Sequence, residues 1–475
     1  MKKANLLLLI SVSMLGFLTS CGENNNDNTL NIICLSASYG EEWINSLKEK
    51  FESANQGVTV NLKTSYDANQ LIESHLSSKK NTDDLYISVG TTWKTNAAQG
   101  YFEELDSLLE EEVDGVSLKN KVSDEYQGSL YFTRSDGTQH CYRLPWTSGI
   151  GGIYYNSAMF EKYGWSAWLK KTYSTNTTGV PETFTELKAL CEKINNDRIA
   201  VPGDRTKAIK PFVYTGANND YFDYLTLSWW GQLAGKEAIQ EFLKYDSVDN
   251  YDASKNQTYA ALKEATSHWN EIFGNSDNVV EGCESKTASN AQKEFINGMA
   301  AMIVDGDWLY NDYIAGYEKS DSFKLKLMKT PVIENAQYQN TSYVIGEDQY
   351  IAIPKTSSHK DLAKSFIKLM VSNEGCNTFL EQAHGFLAYK CNYSSSGLSD
   401  EYISSAIEVR NSYTSTFTNF SNNRKYLCNY IDVWCTAALR PYSSLLNKSR
   451  TIDQAFSDIA STARQGWEYW TNSSK

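Results

Sequence analysis

Between residues 30 and 89 the chain alternates short apolar runs with helical patterns, and this alternation limits the fold more than any other feature of the sequence. Residues 30–35, LNIICL, have the length and character of a buried strand. Residues 41–54 follow with Trp43, Ile44, Leu47 and Phe51 on one helical face, and Gly57 ends the pattern. Residues 58–62 read as a second strand. Residues 67–78 read as a second helix with Ala68, Leu71, Ile72, His75 and Leu76 inward, and residues 85–89 as a third strand. Three strands separated by two helices form a parallel βαβαβ unit, because a parallel crossover needs a helix to return the chain. His75 sits at the edge of an apolar stripe and reads as structural.

Ligands in open α/β sheets collect beyond the carboxyl ends of the strands, so the strand exits carry the functional argument. Ser36, Ser38 and Tyr39 follow the first strand, and Gly90-Thr91-Thr92-Trp93 follow the third. A third exit lies far down the chain, in FINGMAAMIVDGDWLY at residues 295–310. There a helix ends at Gly298, a buried strand spans 301–304, and Asp305-Gly306-Asp307-Trp308 breaks the run. Read on position alone, Trp308 fits core and ligand contact equally. The glycine-rich run at 148–152 lacks the lysine and Ser/Thr of a phosphate loop and leads into a strand, so it reads as a close-packed crossover. Helices dominate from residue 157. Thr183 with Glu186 is a capping box, Ser358 is placed as the cap of a helix over 360–371, and 331–346 reads as loop. Helices over 427–439 and 452–470 finish the chain. The adjacent pair Trp229-Trp230 lies on a helix over 222–233, and two neighbours cannot face one way.

The first twenty-one residues stand apart from the fold. Lys2 and Lys3 precede a short apolar run at 6–18, and Leu18-Thr19-Ser20-Cys21 has the form of a bacterial lipobox, whose cysteine is lipidated and becomes the mature N-terminus. Residues 22–29 read as a flexible tether. No second apolar run is long enough to span a bilayer, which implies attachment through lipid only. The net charge of −13 argues against nucleic acid and against attraction to an anionic membrane surface. The 12 Trp and 31 Tyr suit surfaces that must be apolar and hydrogen-bonding at once. Eight cysteines besides Cys21 show no zinc spacing, so no metal or cofactor is expected. Cys428 and Cys435 share a helical face about 10 Å apart, too far to bond each other. Most of the eight read as buried thiols, with one or two bridges left open.

Several segments, taken in order, resemble one family. They are the lipobox; GYFEELDSLL at 100–109; LPWTSGIGGIYYNSAMFEKYGW at 144–165; PETFTEL at 181–187; FINGMAAMIVDGDW at 295–308; and YIAIPKTSSHKDLAKSFIKLMVSNEG at 350–375. The family is the extracellular solute-binding proteins, family 1, of ABC importers, of the maltose- and multiple-sugar-binding type. The resemblance implies a two-lobed α/β periplasmic-binding fold of type II with a ligand cleft between the lobes. It implies crossings near 144–146, 346–350 and 388–393. Lobe one would then be 30–144 plus 346–388, and lobe two 145–345 plus 389–475. It also implies a monomer, a carbohydrate ligand, a permease partner, and a lipid anchor at the extracytoplasmic face of the cell membrane.

A sugar ring offers apolar faces and a rim of hydroxyls, which Trp and Tyr cover and Asp, Asn, Gln and Arg bond. On that chemistry Trp308 is the expected stacking residue, with Trp93 and Trp230 as secondary aromatics and Asp305 and Asp307 as hydroxyl acceptors. Tyr39 and Asp348 are added from their strand-exit positions. The family often has proline where this chain has Asp307, and residues 200–290 match the family little. A polyamine, iron or peptide ligand and a surface glycoside hydrolase are the alternatives. For the hydrolase Asp305 and Asp307 are available in principle, and there is no G-x-S-x-G or H-E-x-x-H motif.

Overall fold

The computed structural model describes residues 28–473 apart from 79, 91, 135–136, 245, 319, 346–347, 394–400 and 420–439. The lipobox cysteine Cys21, the helix expected over 427–439, and Cys428 and Cys435 lie outside the described residues.

The N-terminal alternation folds as its pattern requires. Strand β1 (Thr29–Leu35), helix α1 (Glu42–Ala54), β2 (Thr59–Ser65), α2 (Ala68–Leu76) and β3 (Leu85–Val89) follow in order. β1 lies between the other two, with Ile32 opposite Leu62 on one side and Leu85 on the other, all parallel. The chain therefore moves one way across the sheet through α1 and back through α2. Since such crossovers follow the right-handed rule, this order puts the two helices on opposite faces. Trp93 opens a short helix, α3 (Trp93–Ala98), where the sequence suggests a loop.

A second sheet is built further along, from β4 (Gly152–Asn156), β5 (Lys210–Val213), β6 (Ala300–Asp305) and β7 (Leu325–Met328) in the order β5-β6-β4-β7. β6 is buried over its whole length because it has a parallel neighbour in β5 and an antiparallel one in β4. Residues 331–346 are not all loop: β8 (Thr341–Tyr343) pairs in parallel with a strand at Ser415–Phe417, a partner more than seventy residues away that no local pattern announces. The chain then returns to the first sheet as β9 (Gln349–Ala352), antiparallel to β3.

Two cores result. One gathers Leu30, Trp43, Leu85, Leu144, Tyr350 and Phe366. The other gathers Ile153, Phe212, Leu225, Trp269, Val304 and Phe456. Between them three segments run side by side: Leu144 bridges Ile351, Thr147 bridges Leu387, and the Ala388 N–H donates to the Trp146 carbonyl. Helix starts follow local chemistry. Thr183 Oγ1 accepts the Glu186 N–H at 3.2 Å, as a capping box requires. The return bond shifts by one residue, the Glu186 carboxylate accepting from the Glu182 N–H. Ser358 does not cap the helix Lys360–Val371: His359 occupies the cap, and Ser357 Oγ accepts its N–H. Cys376 and Cys391 are bridged, while Cys34, Cys141, Cys191 and Cys283 are buried free thiols. Among the described residues no helix is long and apolar enough to cross a membrane.

Candidate ligand cleft

The exit of β6 is a turn locked by its own carboxylate. Asp305 Oδ1 accepts the Gly306 N–H at 2.7 Å, and Oδ2 accepts from the Gln292 amide at 3.2 Å. Gln292 also donates to Asp312. Burial pushes the Asp305 carboxyl up to about 8, against the pull of these donors and with a push from Asp312. Both oxygens are thus engaged inside the lobe, and the side chain holds the turn.

Trp308 folds back over Gly306. A Cβ at that glycine would lie 2.4 Å from the indole, so only glycine lets the ring rest on the backbone. Tyr221 and Tyr224 meet the indole edge-on, with centroids 5.7 and 6.2 Å away. Trp308 and Tyr221 remain half-buried, so this braced group of rings keeps accessible surface. The glycine-rich run serves the same packing. A Cβ at Gly151 would lie 2.2 Å from the Tyr224 ring, and one at Gly149 would lie 2.4 Å from Ile345.

Asp307 engages the opposite lobe. Its Oδ1 accepts from the Tyr39 hydroxyl at 2.9 Å, and its backbone carbonyl accepts from Tyr402. Tyr39 itself is packed against Trp146 and Phe379 in the first core. Asp307 Oδ2 is buried and has no hydrogen-bond partner among the described residues. Burial raises the Asp307 carboxyl to about 7, while the Tyr39 hydroxyl and the Arg410 charge hold it down. Burial and the neighbouring carboxyl together push the Tyr39 phenol well above its ordinary value. Beside this pair Asn311 donates to the carbonyls of Ser38, at 3.1 Å, and Ala383, at 2.6 Å. His384 bonds the Asn311 amide oxygen, and its ring packs on Tyr310.

The other expected residues fall elsewhere. Trp93 is buried in the first core, with the Arg143 guanidinium 4.7 Å above its ring and Phe132 at its edge. Trp229 and Trp230 are both buried in the second core, donating to the carbonyls of Pro331 and Thr258. Asp348 is half-buried beside the β3 exit, its carbonyl accepting the Gly90 N–H. The structure thus brings Tyr39, Asp305, Asp307 and Trp308 to one place and sets Trp93 and Trp230 inside the lobes. At the β2 exit stand Tyr66, 73% exposed, and Asn69, which accepts from Thr92 and Tyr350. The strand-exit argument that singled out Tyr39 applies equally to Tyr66. Nothing local marks Tyr221, Asn311 or His384.

Residues 36–375 match the family described as bacterial extracellular solute-binding protein. A curated relative, a multiple sugar-binding protein of Streptococcus mutans serotype c, is 23% identical over 256 residues. That match covers 54% of this chain and 51% of the relative, so the chain spans about half the length of the curated relative it matches. Among solved structures, RafE from Streptococcus pneumoniae in its apo form superposes with a TM-score of 0.65 at 16% identity, covering 92% of this chain and 97% of that one. RafE in complex with raffinose and a chitin oligosaccharide binding protein each superpose at 0.63 with 16% identity, covering 92% of this chain and 99% and 98% of theirs. At these identities the likeness establishes the two-lobed fold.

Proposed function

This chain belongs to the bacterial extracellular solute-binding proteins, and from that premise we propose that it captures a carbohydrate between its lobes and delivers it to an ABC importer. The observation that carries this reading is Trp308, a half-buried indole braced edge-on by two tyrosines at a strand exit. Such a ring covers the apolar face of a sugar and pays little entropy for doing so, because it is already fixed. Three similar proteins, a multiple sugar-binding protein, RafE in complex with raffinose and a chitin oligosaccharide binding protein, support the ligand class.

The mechanism is binding coupled to closure. Lobe one is 30–144 plus 346–388, and lobe two is 145–345 plus 389–475, hinged on the three adjacent segments. A ligand that touches both lobes makes those contacts only when they are closed, so it shifts the population to the closed form. A permease then recognises that form. Cys21 carries the lipid that holds the protein at the outer face of the cell membrane. No bond is broken in this scheme. Asp305 is held in its own turn and Asp307 bonds Tyr39, so these two carboxylates are not arranged as a pair flanking a glycosidic bond.

A thermal-shift screen of sugars and polyamines on protein starting at Asn28 tests the reading, since a ligand of the native state raises the melting temperature. A sugar is expected to raise it; a polyamine that does so while no sugar does would replace the carbohydrate. Labelled palmitate is expected in the wild-type protein and absent from Cys21→Ser.

A further inference from the structure

The bonds that cross the cleft are not spread evenly. Tyr39 meets Asp307, and Asn311 meets Ser38, Ala383 and His384. Ser38 and Tyr39 lie on the loop from β1 into α1, and α1 packs against the helix Asn373–Ala383, whose end supplies Ala383 and His384. The first-lobe partners Ser38, Tyr39, Ala383 and His384 therefore all belong to the α1 face of the first sheet. The α2 face is different. Tyr66 and Asn69 sit where β2 enters α2, and among the described residues neither they nor Tyr221 nor Trp308 make a hydrogen bond or ring contact across the cleft. Trp308 and Asp307 are neighbours that point apart, the indole over Gly306 toward Tyr221 and the carboxyl toward Tyr39.

We propose that the Tyr39–Asp307 bond is a specificity-determining partition, closing the α1 side of the cleft and confining the ligand to the Trp308 side, so that short saccharides are accepted and longer chains excluded. The proposal rests on the carbohydrate reading above. The wall is solid: Tyr39 is 3% exposed and Asp307 1%. The tyrosine cannot swing away, because its ring is held by Trp146 and Phe379, and a Cβ at Gly385 would lie 2.8 Å from it. A chain that ran past Trp308 toward α1 would have to part the two side chains and strand a buried carboxyl without its donor. It would also prop the lobes apart and forfeit the Asn311 contacts.

The test is a length series. Oligomers of glucose, xylose and N-acetylglucosamine, from one ring upward, are titrated calorimetrically against wild type, Asp307→Ala, Tyr39→Phe and Asp307→Asn. Wild type is expected to bind the best short oligomer about tenfold or more tighter than its long homologues. Asp307→Ala removes the wall, and Tyr39→Phe removes only the hydroxyl while keeping the ring in its core site. In either, the short-to-long ratio is expected to fall to about threefold or less. Asp307→Asn keeps an acceptor for Tyr39 and is expected to keep the ratio. Long oligomers bound by wild type as tightly as short ones, or a ratio unmoved in both Asp307→Ala and Tyr39→Phe, overturn the partition. If no sugar of any length binds wild type, the carbohydrate reading is lost and the partition falls with it.

Discussion

Asp307 shows how much one residue is altered by what closes over it. An aspartate in an unfolded chain titrates near 4, whereas burial raises this one to about 7. Between those values the unfolded chain has released its proton and the folded chain still holds it, so stability falls as pH rises from about 4 to about 7 and is level above. Asp307→Asn has no proton to release. Its melting temperature is therefore expected to gain on the wild type by about 3 °C or more between about pH 5 and about pH 8, read by calorimetry; parallel curves would show the carboxyl to be ionised throughout. Asp305 follows the same sign up to about pH 8 and is present in both proteins, so it cancels in the comparison. Trp308 is the residue on which binding is expected to turn. Trp308→Ala should weaken the sugar that best stabilises wild type by about tenfold or more, while Trp308→Phe keeps most of the affinity. Full affinity in the alanine variant would remove the stacking role.

At the scale of elements, local pattern and packing divide the work. The helix Phe184–Asp197 starts where Thr183 caps it, and Thr183→Ala is expected to cost about 1 kcal/mol in chemical denaturation. The helix Asp223–Ala234 has no polar face, because core surrounds it. Its two tryptophans do face apart, as adjacent helical residues must, but both directions are interior. Trp229 meets Phe184 edge-on, and Trp230 meets Phe242 and Phe417. Trp229→Ala is expected to cost about 3–5 kcal/mol, well beyond the cap, and a cost near that of the cap would show the site to collapse freely.

The whole molecule is tied together behind the cleft as well as inside it. Glu125, packed by the first core, accepts from Ser148 Oγ at 3.0 Å and from Thr416 of the second lobe at 3.2 Å. Arg410 donates to both the carbonyl and the hydroxyl of Ser148 and pairs with Glu125. The same charge holds the Asp307 carboxyl down, and in the proposed scheme of closure it would act as a clamp on the closed form. Arg410→Ala is expected to enlarge the radius of gyration seen by small-angle scattering without sugar and to weaken sugar binding about fivefold, since closure then costs about 1 kcal/mol more. An unchanged profile and affinity would leave the clamp a local contact.

The βαβαβ opening, the buried run at 301–304 and the glycine turns were legible in the chain because each depends on spacing within a few residues: an apolar period, a cap, a turn residue. The two-lobed class came instead from the family resemblance, carried by segments spread along the chain. The exit positions of Tyr39, Asp307 and Trp308 followed from where those strands stop. What spacing cannot carry is which way a side chain at an exit turns, or what comes to meet it. Trp93 stands at an exit as Tyr39 does, yet a helix begins there and folds it into the core. Asp305 and Asp307 are two residues apart and chemically alike, yet one is consumed by its own turn and the other by a tyrosine 268 positions earlier. Tyr221, Asn311 and His384 reach the cleft from segments that carry no local sign of it. The sequence by itself determined the elements and the positions at which they end, because those are set by local chemistry. Tertiary structure alone decided which exits face each other, because that depends on two cores closing independently and on the few bonds formed where they meet.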